Sequence, residues 1–205
     1  MTGFGPFPHA PENPTEALVK ALAGEPPEAF GAGALRALVL PTEYRRSREK
    51  LRRATARFAP DVVVHFGLSR NADRLKLERL ARRHCSPDLV DASGYAPRSG
   101  PVRGPDPDLL SSTLPVELIL DQLAQSGFPA EASDDAGSYV CNATLYRSLL
   151  SAPAEGKRLI GFVHVPPTGV NGFNAERLKQ AAIIILNAAV ASIPSPVATE
   201  RARET

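Results

Sequence analysis

A chain of 205 residues, 43% of them apolar and 22% charged, is long enough to build one domain around its own core without disulfides. A net charge of +2 is too small to argue for nucleic acid, two cysteines and a start reading MTGFGPFPHAPENP argue against secretion, and no apolar run reaches membrane-spanning length. The expectation is therefore a protein of the reducing cytoplasm, with neither nucleic acid nor membrane as partner.

Thr2 to Phe7, TGFGPF, sets two glycines and two phenylalanines beside a proline and reads as a rigid loop presenting aromatic faces. Asn13-Pro14 opens a helix to about Ala23, with Asn as cap and Pro at the first helical position. Leu35 to Leu40 is a short apolar run ended by Pro41 and reads as a buried strand. In Glu43 to Phe58, Leu51, Ala54 and Phe58 recur at helical spacing among basic residues, which favours a solvated helix face over a phosphate-binding patch. Asp61 to Gly67, DVVVHFG, is the clearest strand, and its unbroken apolar run belongs inside a sheet covered on both faces.

Arg74 to Ala81 fits strand and helix periodicity alike. His84 to Asp108 is rich in Pro and Gly and too poor in apolar residues for a core, so it reads as a long loop, functional or mobile. Val116 to Ser126 is an amphipathic helix ended by Gly127, with a short strand after it around Ala130 to Ser133. Arg158 to Val165 is a second core strand closed by Pro166-Pro167, and Asn174 to Ile193 forms the last helix. Strands alternating with helices imply an α/β sandwich with a largely parallel sheet, a single domain over 1–193 and a disordered polar tail over 194–205.

The chemistry centres on Cys141, where the turn at Gly137-Ser138 runs into a helix continuing to about Leu150. A thiol there feels unpaired backbone N–H groups and the positive end of the helix dipole, which favour the thiolate, and the same groups can hold an oxyanion. Taken alone, Cys141 is also explained as a small buried residue. A nucleophile needs a base, and the base an orienting acceptor. His164 is the best placed of four histidines, near the C-terminal end of the strand RLIGFVHV, where sites assemble in open α/β sheets; a core imidazole bonded to a backbone carbonyl is the alternative. His9 and His84 lie in loops, and His65 lies within VVVHFG. Glu78 is the candidate acid, and a surface ion pair with Arg74 or Arg82 would account for it as well.

Six motifs follow one another in order: TGFGPF, Asn13-Pro14-Thr15, the spacing from Gly67 to Glu78 with Arg79 after it, STLP at Ser112 to Pro115, AGSYVCNATLY around Cys141, and GFVHVPP around His164. Over nearly the whole chain they resemble the pyroglutamyl-peptidase I family, the cytosolic cysteine omega-peptidases that remove an N-terminal pyroglutamate. The resemblance implies a three-layer α/β/α sandwich around a twisted, mostly parallel mixed sheet, with the Glu78 segment extended. It implies Cys141 as nucleophile, His164 as general base and Glu78 as the acid that orients it, with Phe4 and Phe7 bracketing the pyrrolidone ring and Asn13 near that pocket. It further implies a pyroglutamyl peptide as substrate, a thioester intermediate and no metal or organic cofactor, and leaves room for a homo-oligomer.

The chain also departs from the family. Counted from Glu78 without gaps, Asp88 stands where the family carries an arginine near the oxyanion site, while Leu68 and Arg83 replace a polar residue and an asparagine. Arg98 and Arg103, in the same loop, are candidates to stand in for that arginine. The chain starts inside the family's first loop, from which a strand ahead of TGFGPF is expected to be missing. These departures keep a second functional class in view, a family-fold protein that binds a pyroglutamyl or related cyclic amide and turns it over poorly or not at all.

Overall fold

The computed structural model describes residues 1–7, 10–31, 33–97, 106–152 and 158–193; His9, Arg98, Arg103 and the tail from Pro194 lie outside them. In chain order the elements are β1 (Thr2–Phe4), α1 (Pro14–Leu22), β2 (Leu38–Leu40), α2 (Tyr44–Phe58), β3 (Val62–Leu68), β4 (Leu75–Glu78), β5 (Leu80–Arg82) and β6 (Leu109–Ser111). They continue with α3 (Val116–Gln125), β7 (Ala130–Ser133), α4 (Val140–Leu150), β8 (Leu159–Val165) and α5 (Ala175–Ala191). Six strands form a mixed sheet in the order β2-β1-β3-β8-β4-β7, parallel throughout except where β4 meets β8, and β5 pairs with β6 in a separate ribbon. Helices α1, α3 and α5 cover one face and α2 and α4 the other, which makes three layers.

The central pair β3 and β8 follows from sequence directly. Val63, Val64, Phe66, Ile160, Phe162, Val163 and Val165 are all buried, pointing alternately into the two helical layers. Each such side chain contributes about 1.5–3 kcal/mol by leaving water. At the N-terminus of α1, Asn13 Oδ1 accepts from Thr15 N and Pro14 takes the first helical position, where its missing N–H costs nothing.

The loop expected at TGFGPF is corrected: Thr2–Phe4 is an interior strand, hydrogen-bonded between β2 and β3. Gly3, which gives a loop signal in the sequence, serves close packing instead, because a Cβ there would strike the Thr15 carbonyl and Val19 Cγ2 of α1. The place between β2 and β3 is thus held by β1 for three residues. Beyond Met1 a cavity of about 530 Å³ opens, lined among others by Phe30, Leu35, Phe58, Val62 and Val190. Arg74 to Ala81 resolves as β4 and β5, interrupted at Arg79. Within the long Pro/Gly segment Asp91 is built in, not loose: its carboxylate accepts from Tyr44 N, Ser93 N, Ser93 Oγ and Tyr95 N. Burial pushes that carboxyl up, and these bonds outweigh it, holding it below the ordinary range.

His65 is fully buried, with Nδ1 2.7 Å from Thr2 Oγ1 and Nε2 2.9 Å from Ser148 Oγ, so one neutral ring ties β1, β3 and α4 together. Burial, with the positive N-terminal amine adding to it, lowers its pKa to about 3. The folded value lies below the unfolded one, so the neutral ring's contribution is complete above pH ~6.5 and is lost as pH falls from there toward 3, on the order of 4–5 kcal/mol in all. Urea midpoints measured between pH 7 and 4 are expected to fall more steeply for the native chain than for His65→Asn; parallel curves would remove His65 from the acid transition.

Candidate active site

Cys141 is the second residue of α4. The turn before it is set by Gly137, at φ +78, whose N–H donates to Asp135 Oδ1, and fully buried Val140 anchors the helix start. Tyr139 caps the helix with extended backbone and no side-chain acceptor, so the first-turn N–H groups around Cys141 are not occupied by a capping oxygen. Cys141 is half-buried, whereas Cys85 is fully buried.

Sheet register brings the other two groups to it. On one side of β8, Gly67 of β3 is paired with His164; on the other, antiparallel β4 sets Lys76 opposite His164 and Glu78 opposite Phe162. Glu78 therefore lies diagonally from His164 on the same face, within reach across an antiparallel pair. The carboxylate Oε1 accepts from His164 Nδ1 at 2.7 Å, with Glu78 1% and His164 8% exposed. The Cys141 side chain acts on the same imidazole. Burial pulls the imidazole down, but the bonds to Cys141 and Glu78 and their negative charge prevail and raise it to about 9. The raised value favours the charged ring, beside a sulfur and a carboxylate. Both open alternatives from sequence are thereby resolved: His164 meets a carboxylate, and Arg74 pairs with Asp73 and Glu131, leaving Glu78 to the histidine.

Gly67 makes room for this group. A Cβ at that position would sit 2.5 Å from Phe162 Cζ and 3.1 Å from Cys141 Sγ. Phe162 is the hub beneath the site, its ring centre 4.8 Å from His164, 6.1 Å from His65 and 6.2 Å from Phe4. Phe4 is buried against that hub. Phe7 is half-buried and faces Tyr139 at 6.4 Å, and Tyr139 in turn meets Tyr44 edge-on at 5.7 Å. Asn13 is buried and acts on the backbone: its Nδ2 donates to Gly5 O, which also accepts from Thr42 Oγ1, fixing the turn between Phe4 and Phe7. Asp88 is exposed, its N–H bonded to Ser86 Oγ; Arg83 pairs with Asp108.

Sequence reasoning did not single out Asn142, Tyr44, Tyr139 or Asp91. Asn142 is fully buried and joins α4 to the ribbon, accepting from Arg82 N and donating to Arg82 O and His84 O. An asparagine beside the cysteine was visible, but its burial against a segment 60 residues away was not. Tyr139 is pushed up to about 12 by burial and by the charges of Asp91 and Cys141. Tyr44 Oη is buried without a hydrogen-bond partner among the described residues, and burial first, then neighbouring negative groups, raise its pKa strongly. Among the described residues no group of three His, Cys, Asp or Glu could hold a metal ion.

Comparison with known proteins gives one family. The profile of the pyroglutamyl peptidase family matches residues 1–195. A pyrrolidone-carboxylate peptidase of Halalkalibacterium halodurans is 37% identical over 169 residues, 81% of this chain and 82% of that protein. One from Pyrococcus furiosus is 32% identical over 167 residues, 81% and 79% of the two chains. Among solved structures, pyrrolidone carboxyl peptidase from Thermococcus litoralis superposes with a TM-score of 0.85 at 27% identity, covering 93% of this chain and 91% of that one. A mutant of the Pyrococcus furiosus enzyme gives 0.87 at 27% identity, covering 94% and 98%.

Proposed function

Because the chain belongs to the pyroglutamyl peptidase family, and is a cysteine-type hydrolase that removes N-terminal pyroglutamate, we propose that Cys141, His164 and Glu78 are its catalytic residues. One observation carries the assignment: the 2.7 Å bond from His164 Nδ1 to Glu78 Oε1, on an imidazole whose titration the Cys141 side chain also raises. A complete, buried acid–base pair on a partly open thiol also speaks for turnover and against a binding-only protein.

With Nδ1 committed to Glu78, the other ring nitrogen serves Cys141. The thiolate attacks the pyroglutamyl carbonyl carbon, and the oxyanion forms beside the uncapped first-turn N–H groups of α4. As the C–N bond breaks, His164 gives its proton to the leaving amine and a thioester remains. Water attacks the thioester, His164 takes its proton, and pyroglutamate leaves with Cys141 restored. The lactam is flat and uncharged, which suits the aromatic edge formed by Phe7 and Tyr139, with Phe4 backing it through Phe162 and Asn13 holding the Gly5 turn. A catalytic thiol that must stay reduced fits the cytoplasm as its compartment.

Limiting iodoacetamide at neutral pH, followed by mass mapping, tests the assignment. Cys141 is expected to label first, in step with loss of pyroglutamyl-anilide hydrolysis. Cys85 is expected to lag, because it is buried and burial pushes its thiol up. Labelling of Cys85 first, or labelled Cys141 with activity retained, would sink it.

A further inference from the structure

The site is laid out along the sheet, strand by strand. Phe7, on the aromatic edge, follows β1; Cys141 Sγ lies beside Gly67 of β3; His164 stands on β8, paired with Gly67; and Lys76 of β4 is directly opposite His164. Parallel β7 then sets Glu131 beside Lys76. Leu75 and Leu77 pack into the layer of α1, α3 and α5, so Lys76, like Glu78, faces the other side, the one that carries His164. Lys76 Nζ is 3.3 Å from Glu131 Oε1, and the two side chains are 34% and 41% exposed. The order β1-β3-β8-β4-β7 therefore runs across the site as aromatic edge, thiol, imidazole, ammonium and carboxylate.

This order gives the substrate a direction. In the catalytic reading proposed above, on which this inference rests, the lactam ring lies at the aromatic edge, the carbonyl carbon at Cys141 and the leaving amine at His164. The residue that carries that amine, the one after pyroglutamate, is thereby led onward to β4. Neighbouring strands lie about 4.8 Å apart and directly opposed Cβ atoms about 5 Å, so a side chain on that residue comes within the length of a lysine. We propose that Lys76 is a specificity-determining residue for the leaving side of the substrate: its ammonium meets a carboxylate on the residue after pyroglutamate, so that an acidic residue is preferred there and a basic one disfavoured.

Glu131 does not use the ammonium up. A lysine carries three donors, of which Glu131 takes one, and Glu131 is itself shared with Arg74, 3.8 Å from its Oε2, which pairs also with Asp73 at 2.9 Å. By register Lys76 is the member of this cluster set against the histidine, and Glu131 stands one strand farther out. Arg79 and Asp134, past Glu78 at the other end of these strands, neutralise each other. A half-exposed ammonium keeps part of its hydration, so the discrimination is modest, about two- to fivefold, as for exposed ion pairs, and it weakens with salt.

Steady-state hydrolysis of the C-terminally amidated dipeptides pyroglutamyl-glutamate, pyroglutamyl-glutamine and pyroglutamyl-lysine by the full chain tests the proposal, since amidation leaves the side chain as the only charge that differs. At low ionic strength kcat/KM for the glutamate peptide is expected to exceed that for the glutamine peptide by about two- to fivefold, with the lysine peptide below both, and salt is expected to narrow the differences. Lys76→Gln is expected to level the preference and Lys76→Glu to invert it, mainly through KM, because the ammonium does not touch the reacting atoms. Glu131→Gln releases the ammonium and is expected to widen the preference, while Lys20→Gln, on α1 in the opposite layer, leaves it as it is. Equal use of the glutamate and glutamine peptides by the native chain, a preference indifferent to salt, or one that survives Lys76→Gln overturns the proposal. So does a loss in Lys76→Gln that falls equally on all the peptides through kcat, since the lysine would then act through His164 and not on the substrate. These outcomes leave the catalytic assignment standing as long as the anilide is hydrolysed; failure to hydrolyse the anilide and every peptide would sink that assignment and this proposal with it.

Discussion

Cys141→Ser is expected to lower kcat for a pyroglutamyl anilide on the order of 10⁴–10⁶-fold, the range seen when the nucleophile of a triad is removed. The serine oxygen keeps the shape but stays a hydroxyl, so the attacking anion that the His164 charge supports is lost. Because the Cys141 side chain helps raise His164, the imidazole is also expected to titrate lower in the variant, and NMR of the ring would report it. Folding should be unaffected, since the side chain is partly open and isosteric. Activity within a factor of ten of the native enzyme would place the nucleophile elsewhere.

Glu78→Gln is the second large effect. The amide fills the same buried space beside His164 without its charge, so the ring loses both the strongest reason to keep Nδ1 protonated and the anion opposite it. Loss of an orienting carboxylate costs about 10²–10⁴ in kcat/KM. The pH profile gives the sharper signature. His164 is raised to about 9 in the fold against an ordinary 6.5, so the stabilisation its pairs provide is complete below pH 6.5 and is lost as pH rises through 9. Removing Glu78 lowers the folded value, and both the alkaline limb of the rate and the alkaline loss of stability should move toward neutral pH. A limb that stays near 9 would show that Glu78 does not act through His164.

Much of this site was legible because its chemistry rests on local signals. Cys141 after a glycine turn and His164 at the end of an apolar strand are readable from their neighbours alone. Glu78 was not, because nothing in RLKLERLA tells a surface ion pair from a buried one; the antiparallel β4–β8 register decides it, and register is a property of two distant segments. The TGFGPF misreading has the opposite origin: glycine was weighed as freedom of the backbone when its purpose in β1 is the absence of a Cβ against α1. Gly67 repeats the lesson, closing a strand in the sequence while in space it admits the sulfur of Cys141. His65, embedded in VVVHFG, gave no sign of its two hydroxyl partners, one near the start of the chain and one on α4.

The Glu78–His164 bond spans 86 residues of chain, and among the described strands it closes across the one antiparallel pairing in an otherwise parallel sheet. Local helices form in microseconds or less, but a contact this distant in sequence must wait until a large loop has been closed, and β pairing of this kind is intrinsically slow. A one-residue slip of β4 on β8 would turn Leu77 to the site and Glu78 to the opposite layer, since neighbouring residues point to opposite faces. During refolding, then, helical signal and hydrophobic collapse come back well before the enzyme does. Catalytic competence returns in a late step, when the second half of the chain has found the first in the right phase.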